Sequence, residues 1–218
     1  MSALQTVVNE ILDARSSIPS RRSLLIAITG IDSCGKGYVT GRIVKALQKK
    51  GVRAVAINVD GWLNLPDRRF DASNPAEHFY LHAIRFEEMF TELILPLRDR
   101  RSLRIVANHA EETSTEYRRR VYEFKDVDVI ALEGIYLMKR AFQALYDLSI
   151  WIECSFDTAL ERAIPRAQEG LSPEETIRAY QTIYFPAQEI HFQRDSPKAE
   201  ATLIVNNDVR LGLVNLGE

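Results

Sequence analysis

Cysteine is scarce in this sequence. Only Cys34 and Cys154 occur, too few for a disulfide framework, and the four dispersed histidines show no zinc-site spacing. Long apolar runs are missing as well. None approaches the roughly 20 residues that a membrane span requires, and the N-terminus lacks the apolar centre of a signal peptide. No membrane partner is expected, and the expected compartment is the cytoplasm. Neither sign of charge dominates: the net charge of −2 and the lack of a long basic run argue against nucleic acid as a partner. Internal repeats and low-complexity segments are absent. At 46% hydrophobic and 27% charged over 218 residues, the chain suits one domain with a substantial buried core.

Against that ordinary background one stretch stands out. Residues 24–28 form a continuous apolar run that stops at Gly30, and Gly35 and Lys36 follow in Gly-Ile-Asp-Ser-Cys-Gly-Lys (30–36). Val39, Ile43, Val44 and Leu47 then share one helical face. Strand, glycine-bounded loop, lysine and helix is the order of a phosphate-binding P-loop. The residue types have a mechanism. Gly30 and Gly35 allow the backbone of Ile31, Asp32, Ser33 and Cys34 to turn its N–H groups inward as a nest for phosphate oxygens. The helix adds its positive N-terminal end, beside Gly37 and Tyr38, and Lys36 adds a mobile cation. Cys34 is expected to be a small residue that fits the loop. Gly37 is a departure, because the usual residue there is Ser or Thr, whose hydroxyl holds Mg²⁺. Thr40 lies about one helical turn further on and should not reach the same place.

The rest of the chain alternates. A helix over 2–15 precedes the loop, and further strands are predicted over 53–59, 103–107, 122–124, 127–132, 149–154 and 201–205. Residues 63–74 read as irregular. A helix opened by Pro75 should close at Pro96, a short one is expected over 139–146, another over 156–166, and a longer one from Pro173 should end before Pro186. The pattern predicts an α/β, three-layer P-loop NTPase fold: a mainly parallel central sheet flanked by helices, with a small lid. Ligands of such sheets bind at the carboxyl ends of the strands.

Two carboxylates fall at such ends. Asp60 follows an apolar strand and precedes glycine; a kinase acting on a hydroxyl needs a carboxylate to orient it and take its proton. Glu133 ends another apolar strand, where an acid that binds Mg²⁺ directly or through water would sit. Each could instead be a plain turn or surface carboxylate, and proximity to the loop favours function for both. Arg162 and Arg166 share a helix face beside a turn that could act as a lid, placed to neutralise a transferring phosphoryl group. His109, Tyr117 and the run 118–120 are weaker candidates, for a positively charged rim that would suit an anionic substrate.

The loop 30–36, the strand end Val-Asp-Gly-Trp (59–62), Leu-Glu-Gly-Ile-Tyr-Leu (132–137) and Tyr-Phe-Pro-Ala-Gln-Glu-Ile-His-Phe (184–192) resemble the uridine kinase and phosphoribulokinase family of P-loop kinases, closest to its bacterial uridine-kinase-like members. The resemblance covers about residues 23–207. It implies a single kinase domain over 1–218, with an N-terminal helix and linker over 1–20, a substrate-side insertion over about 61–125 and a lid over about 162–175. It implies transfer of a γ-phosphoryl group from ATP or GTP, with Mg²⁺, to a small-molecule hydroxyl, a nucleoside 5′-hydroxyl being the expected acceptor. Carried onto this chain, Asp60, Lys36, Glu133 and Arg166 are the catalytic residues. Residues 30–38 with Arg162 and Arg166 bind the nucleotide, Asp60, Trp62 and His109 meet the acceptor, and Glu133 and Asp60 hold the metal. Ala167 replaces an aspartate that often follows the second arginine, and Ala107-Asn108-His109 replaces the family's uridine-recognising Tyr-Asp-aromatic stretch. A kinase for another alcohol (a sugar, pantothenate or ribulose phosphate) and a nucleotide binder that has lost catalysis are the alternatives. Self-association is compatible with the sequence.

Overall fold

The computed structural model describes residues 2–167 and 170–212. Helix α1 (Ala3–Ser17) starts at Ser2, whose side chain accepts from the backbone N–H of Gln5, and it buries Val7, Val8 and Ile11. Strand β1 (Leu24–Gly30) is buried at every position, as a strand covered on both faces must be. Helix α2 (Lys36–Lys49) follows, then β2 (Ala54–Asn58). Next come the short α3 (Pro66–Arg69), within the stretch read as irregular, then α4 (Pro75–His82) and α5 (Phe86–Met89), a π-helical turn (Phe90–Ile94) and α6 (Leu95–Arg100). Strands β3 (Leu103–His109) and β4 (Arg118–Phe124), both longer than predicted, form a separate antiparallel hairpin. Strand β5 (Val129–Glu133), α7 (Arg140–Gln143), β6 (Leu148–Glu153) and α8 (Phe156–Arg166) lead to α9 (Pro173–Ala179). A second π-helical turn (Tyr180–Tyr184), α10 (Phe185–Asp195) and β7 (Leu203–Asn206) complete the series.

The main sheet has the order β2-β5-β1-β6-β7, and every neighbouring pair is parallel. Alternation along β1 divides the core in two. Leu25 and Ala27 pack with Phe86, Phe90, Leu93 and Tyr136 on one side, while Leu24, Ile26 and Ile28 pack with α1 and α2 on the other. That is the predicted three-layer arrangement. Among the described residues no helix is long and apolar enough to cross a membrane.

Pro96 and Pro186 do not stop their helices. Each lies two residues beyond a π turn, at the start of α6 and α10. In a regular α-helix the proline ring meets the carbonyl four residues back. Those carbonyls, on Glu92 and Thr182, lie within the π turns, where the wider winding accommodates the ring.

Candidate active site

The loop after β1 is shaped by backbone that few residues tolerate. Gly35 has φ of 91°, in the left-handed region, and a Cβ there would lie 2.3 Å from Asn207 Nδ2. Gly30 is needed for space: its Cβ would lie 2.6 Å from the carbonyl oxygen of Ile152. Asn207, just past β7, donates to the carbonyl of Cys34 at 2.7 Å. Arg162 donates to the same carbonyl at 3.1 Å and to that of Asn207 at 2.8 Å.

Arg162 is therefore committed to the outside of the loop, and it does not line the cavity that the loop faces. This corrects the expectation of a lid arginine on the phosphate. The planar guanidinium bridges the two backbone carbonyls and so ties the loop to the end of β7. Arg166 does line the cavity and donates to Ser33 Oγ at 3.4 Å. The lid expected over 162–175 includes residues 168 and 169, which lie outside the described residues.

Inside the loop, the ammonium of Lys36 donates to the carbonyl of Ile31 at 2.8 Å. Burial works against its charge, but the neighbouring Cys34 sulfur and the carboxylates of Asp32, Glu133 and Asp60 outweigh that and hold it above the ordinary lysine range. Asp32 accepts from its neighbour's N–H, Ser33 N, at 2.8 Å and from the hydroxyl of Tyr180. Tyr180 lies 2.9 Å from Ser33 Oγ, so the π turn after α9 is tied to the loop at two points. Ile31 and Cys34 are buried side chains that serve the loop through their backbone. Burial pushes the Cys34 thiol up, away from the reactive thiolate. Tyr38 is exposed at the cavity mouth.

Parallel register brings the two acids to the same edge. Glu133 pairs with Ile28 of β1 and with Asn58 of β2, and Asp60 follows β2 on a single 3₁₀ turn. Asn58 fixes that turn by accepting from the backbone N–H of Asp60 at 2.7 Å. Lys36, Gly37, Asp60, Glu133 and Arg166 all line one cavity of about 330 Å³. Burial, reinforced by the nearby carboxylates of Glu112, Glu133 and Asp32 and opposed by Lys36, pushes Asp60 up to about 7. Burial also raises Glu133, against Lys36 and Arg166. An acid poised near neutrality beside a phosphate loop is equipped for proton transfer.

Trp62 and His109 are not brought to this cavity. Trp62 is fully buried, with Arg85 5.3 Å from its ring and Tyr122 5.6 Å away. His109 lies 3.1 Å from the hydroxyl of Tyr122 and sits directly under Gly61, where a Cβ would come within 2.8 Å of its ring. Both support the turn that carries Asp60. In their place the cavity is lined by residues that sequence reasoning passed over: Arg69, Glu112, Tyr136, Tyr180 and Gln188. Arg69 is buried and donates to the backbone carbonyl of Glu112, closing α3 against the β3–β4 loop.

The donor set bears on Mg²⁺. Among the described residues no cluster of three His, Cys, Asp or Glu side chains could hold a metal. A Cβ on Gly37 would meet only Glu133 Oε2, at 3.7 Å, so the loop leaves open space beside that carboxylate. One carboxylate next to open space, with Asp60 on the same cavity, suits an ion that takes most of its oxygens from phosphate and water.

Residues 25–187, well over half of the chain, match the Phosphoribulokinase / Uridine kinase family. The chain belongs to that family. Curated relatives of this family member include the uridine kinase of Ureaplasma parvum, 26% identical over 89% of this chain and 94% of the relative. Another is uridine-cytidine kinase B of Dictyostelium discoideum, 27% identical over 77% of this chain and 69% of the relative. Among solved structures, one described as a possible uridine kinase from Bacillus stearothermophilus superposes with a TM-score of 0.72 at 16% identity, covering 92% of this chain and 96% of that one. D-glycerate 3-kinase from Cryptococcus neoformans gives 0.63 at 16% identity, over 94% and 95% of the two chains. These structures share the P-loop kinase fold with this member of the family.

Proposed function

We propose that this chain is a nucleotide-dependent small-molecule kinase, transferring the γ-phosphoryl group of ATP or GTP to an acceptor hydroxyl, with a nucleoside 5′-hydroxyl as the first acceptor to test. The observation that carries this reading is the placement of Lys36 and Asp60 on one cavity wall system, with Asp60 raised to about 7. The loop amides and Lys36 hold the β- and γ-phosphates. Asp60 accepts a hydrogen bond from the acceptor hydroxyl, orients it for in-line attack and takes its proton as the new O–P bond forms and the bond from the γ-phosphorus to the β–γ bridging oxygen breaks, the nucleoside diphosphate leaving with that oxygen. Arg166, on the same cavity, neutralises charge on the transferring group. Mg²⁺, when bound, would supply charge neutralisation between phosphate oxygens, and Glu133 would hold it with Asp60 nearby. The insertion between β2 and β5 walls the acceptor side through Arg69, Phe79 and Glu112.

The nucleoside acceptor is supported by the names of the curated relatives. A different alcohol is favoured by one observation: residues 108 and 109, in the stretch where the family reads uridine, do not line the cavity. The deciding experiment is initial-rate assay with ATP and with GTP against uridine, cytidine, fructose, glycerate, pantothenate and ribulose 5-phosphate. Nucleoside turnover is expected, and Asp60→Asn should lower kcat by about 10²–10⁴-fold with nucleotide affinity unchanged. Tight nucleotide binding with no turnover of any acceptor would replace this reading with that of a non-catalytic nucleotide binder.

A further inference from the structure

The proposed chemistry leaves two polar groups on the cavity wall unused. Gln188, on α10, is 1% exposed, and neither its Oε1 nor its Nε2 has a hydrogen-bond partner. Tyr136, in the turn after β5, is also 1% exposed, and its hydroxyl has no partner. Both line the same cavity as Lys36 and Asp60. Buried amides and phenols are almost always paired, so two unpaired groups facing one cavity mark a place where a ligand completes the set. Tyr136 is further held at φ of 59°, a backbone state that non-glycine residues adopt where the surroundings impose it. The supports are rigid. Asp195, at the end of α10, accepts from the hydroxyl of Tyr80 at 2.6 Å and from the backbone of Arg140 at 3.0 Å, and its carboxylate lies 2.7 Å from His191 Nδ1. The ring of His191 in turn packs edge-on against Tyr136 at 5.4 Å.

The neighbouring walls are flat and apolar. Phe79 and Tyr184 both line the cavity, with ring centroids 4.9 Å apart, and Phe79 lies 6.4 Å from the Tyr136 ring. A carboxamide presents one acceptor and one donor side by side. Its complement is a planar group with an adjacent donor and acceptor on one edge, its faces against aromatic rings.

We infer that Gln188, assisted by Tyr136, is the acceptor-reading residue of this chain and takes the amide-like edge of a pyrimidine base. The inference rests on reading the cavity as the acceptor's place. Rotation of the carboxamide by half a turn exchanges its donor and acceptor, so one residue pairs with the N3–H and O4 of uracil or the N3 and N4–H₂ of cytosine. Recognition then comes from α10 and not from the β3–β4 hairpin, which accounts for the ordinary residues at 107–109.

The test uses wild type, Gln188→Leu and Tyr136→Phe, with uridine and 3-methyluridine as probes. Wild type should prefer uridine over 3-methyluridine, whose N3 cannot donate. Gln188→Leu should lose about 10–100-fold in kcat/KM for uridine, chiefly through KM, and should lose the discrimination between the two probes. Its nucleotide affinity should not change. Its melting temperature without ligand should equal or exceed that of wild type, because leucine leaves no unpaired buried amide. Tyr136→Phe should show a smaller loss in the same direction. A well-folded Gln188→Leu variant with unchanged KM and unchanged discrimination would overturn the inference, leaving water as the partner of the amide. Turnover of a sugar equally well by wild type and Gln188→Leu would overturn it while sparing the kinase reading. If no nucleoside is turned over, calorimetry with uridine alone decides: binding that Gln188→Leu abolishes supports the subsite without nucleoside kinase activity, and no binding to wild type at millimolar uridine removes it.

Discussion

Replacing Asp60 by asparagine should make the unliganded protein more stable at pH 8 while removing its turnover. Burial and the carboxylates of Glu112 and Glu133 raise Asp60 from 3.8 to about 7. Between those values the folded state holds a proton that the unfolded chain has released. Stability should therefore fall as pH climbs from about 4 to about 7, and the full penalty should stand above 7. At about 1.4 kcal/mol per pH unit the ceiling is about 4 kcal/mol. Asp60 keeps an edge open to solvent, which admits water, and about 2 kcal/mol is the expected gain for asparagine. For a chain of this length that is about 4–8 °C in melting temperature. The assay is calorimetric unfolding of both proteins at pH 5, 6, 7 and 8 without nucleotide. The difference should be small at pH 5 and grow to a plateau by pH 8. A difference that does not vary with pH, or a wild type more stable than the variant at pH 8, would refute the account of Asp60 as a carboxylate held against its own charge.

Two further outcomes follow from the loop. Lys36→Ala should stay folded, lose most nucleotide affinity and show no transfer; calorimetry finding normal affinity in a folded variant would remove the phosphate role of the loop. Glu133→Gln should raise the Mg²⁺ concentration needed for half-maximal rate, and Gly37→Ser, which the space beside Glu133 accommodates, should lower it; identical Mg²⁺ curves for all three proteins would show that neither position meets the ion.

The phosphate loop, Asp60 and Glu133 could be read directly because each is announced by its immediate neighbours: an apolar strand before it and a glycine beside it. What escaped depends on distant pairing. Arg162 looked like a lid arginine from its spacing to Arg166, but its carbonyl partner lies 128 residues away in the loop. Tyr180 lies within a predicted helix and has no local mark of a polar role, yet its hydroxyl serves Asp32, 148 residues earlier. Gln188 lay in the stretch 184–192 that carried the resemblance but gave no sign of a site role, since a glutamine on a helix is ordinarily solvated and only tertiary burial makes its amide conspicuous. Pro96 and Pro186 were misread as helix stops because an expanded turn upstream leaves no mark in local composition. Trp62 and His109 adjoin or face the turn that carries Asp60, yet side-chain direction sends them beneath it.

The bond from Asn207 to Cys34 also sets an order of events in the life of the protein. The loop leaves the ribosome early, and the side chain that clamps its carbonyl follows 173 residues later. At ordinary elongation rates of about 5–20 residues per second, that interval is about ten to thirty seconds. Within it β5 and β6 follow, then Arg162, which meets the same carbonyl, and Asn207 arrives last. The mature shape of the loop is therefore completed from the far edge of the sheet, by a residue that follows the last strand.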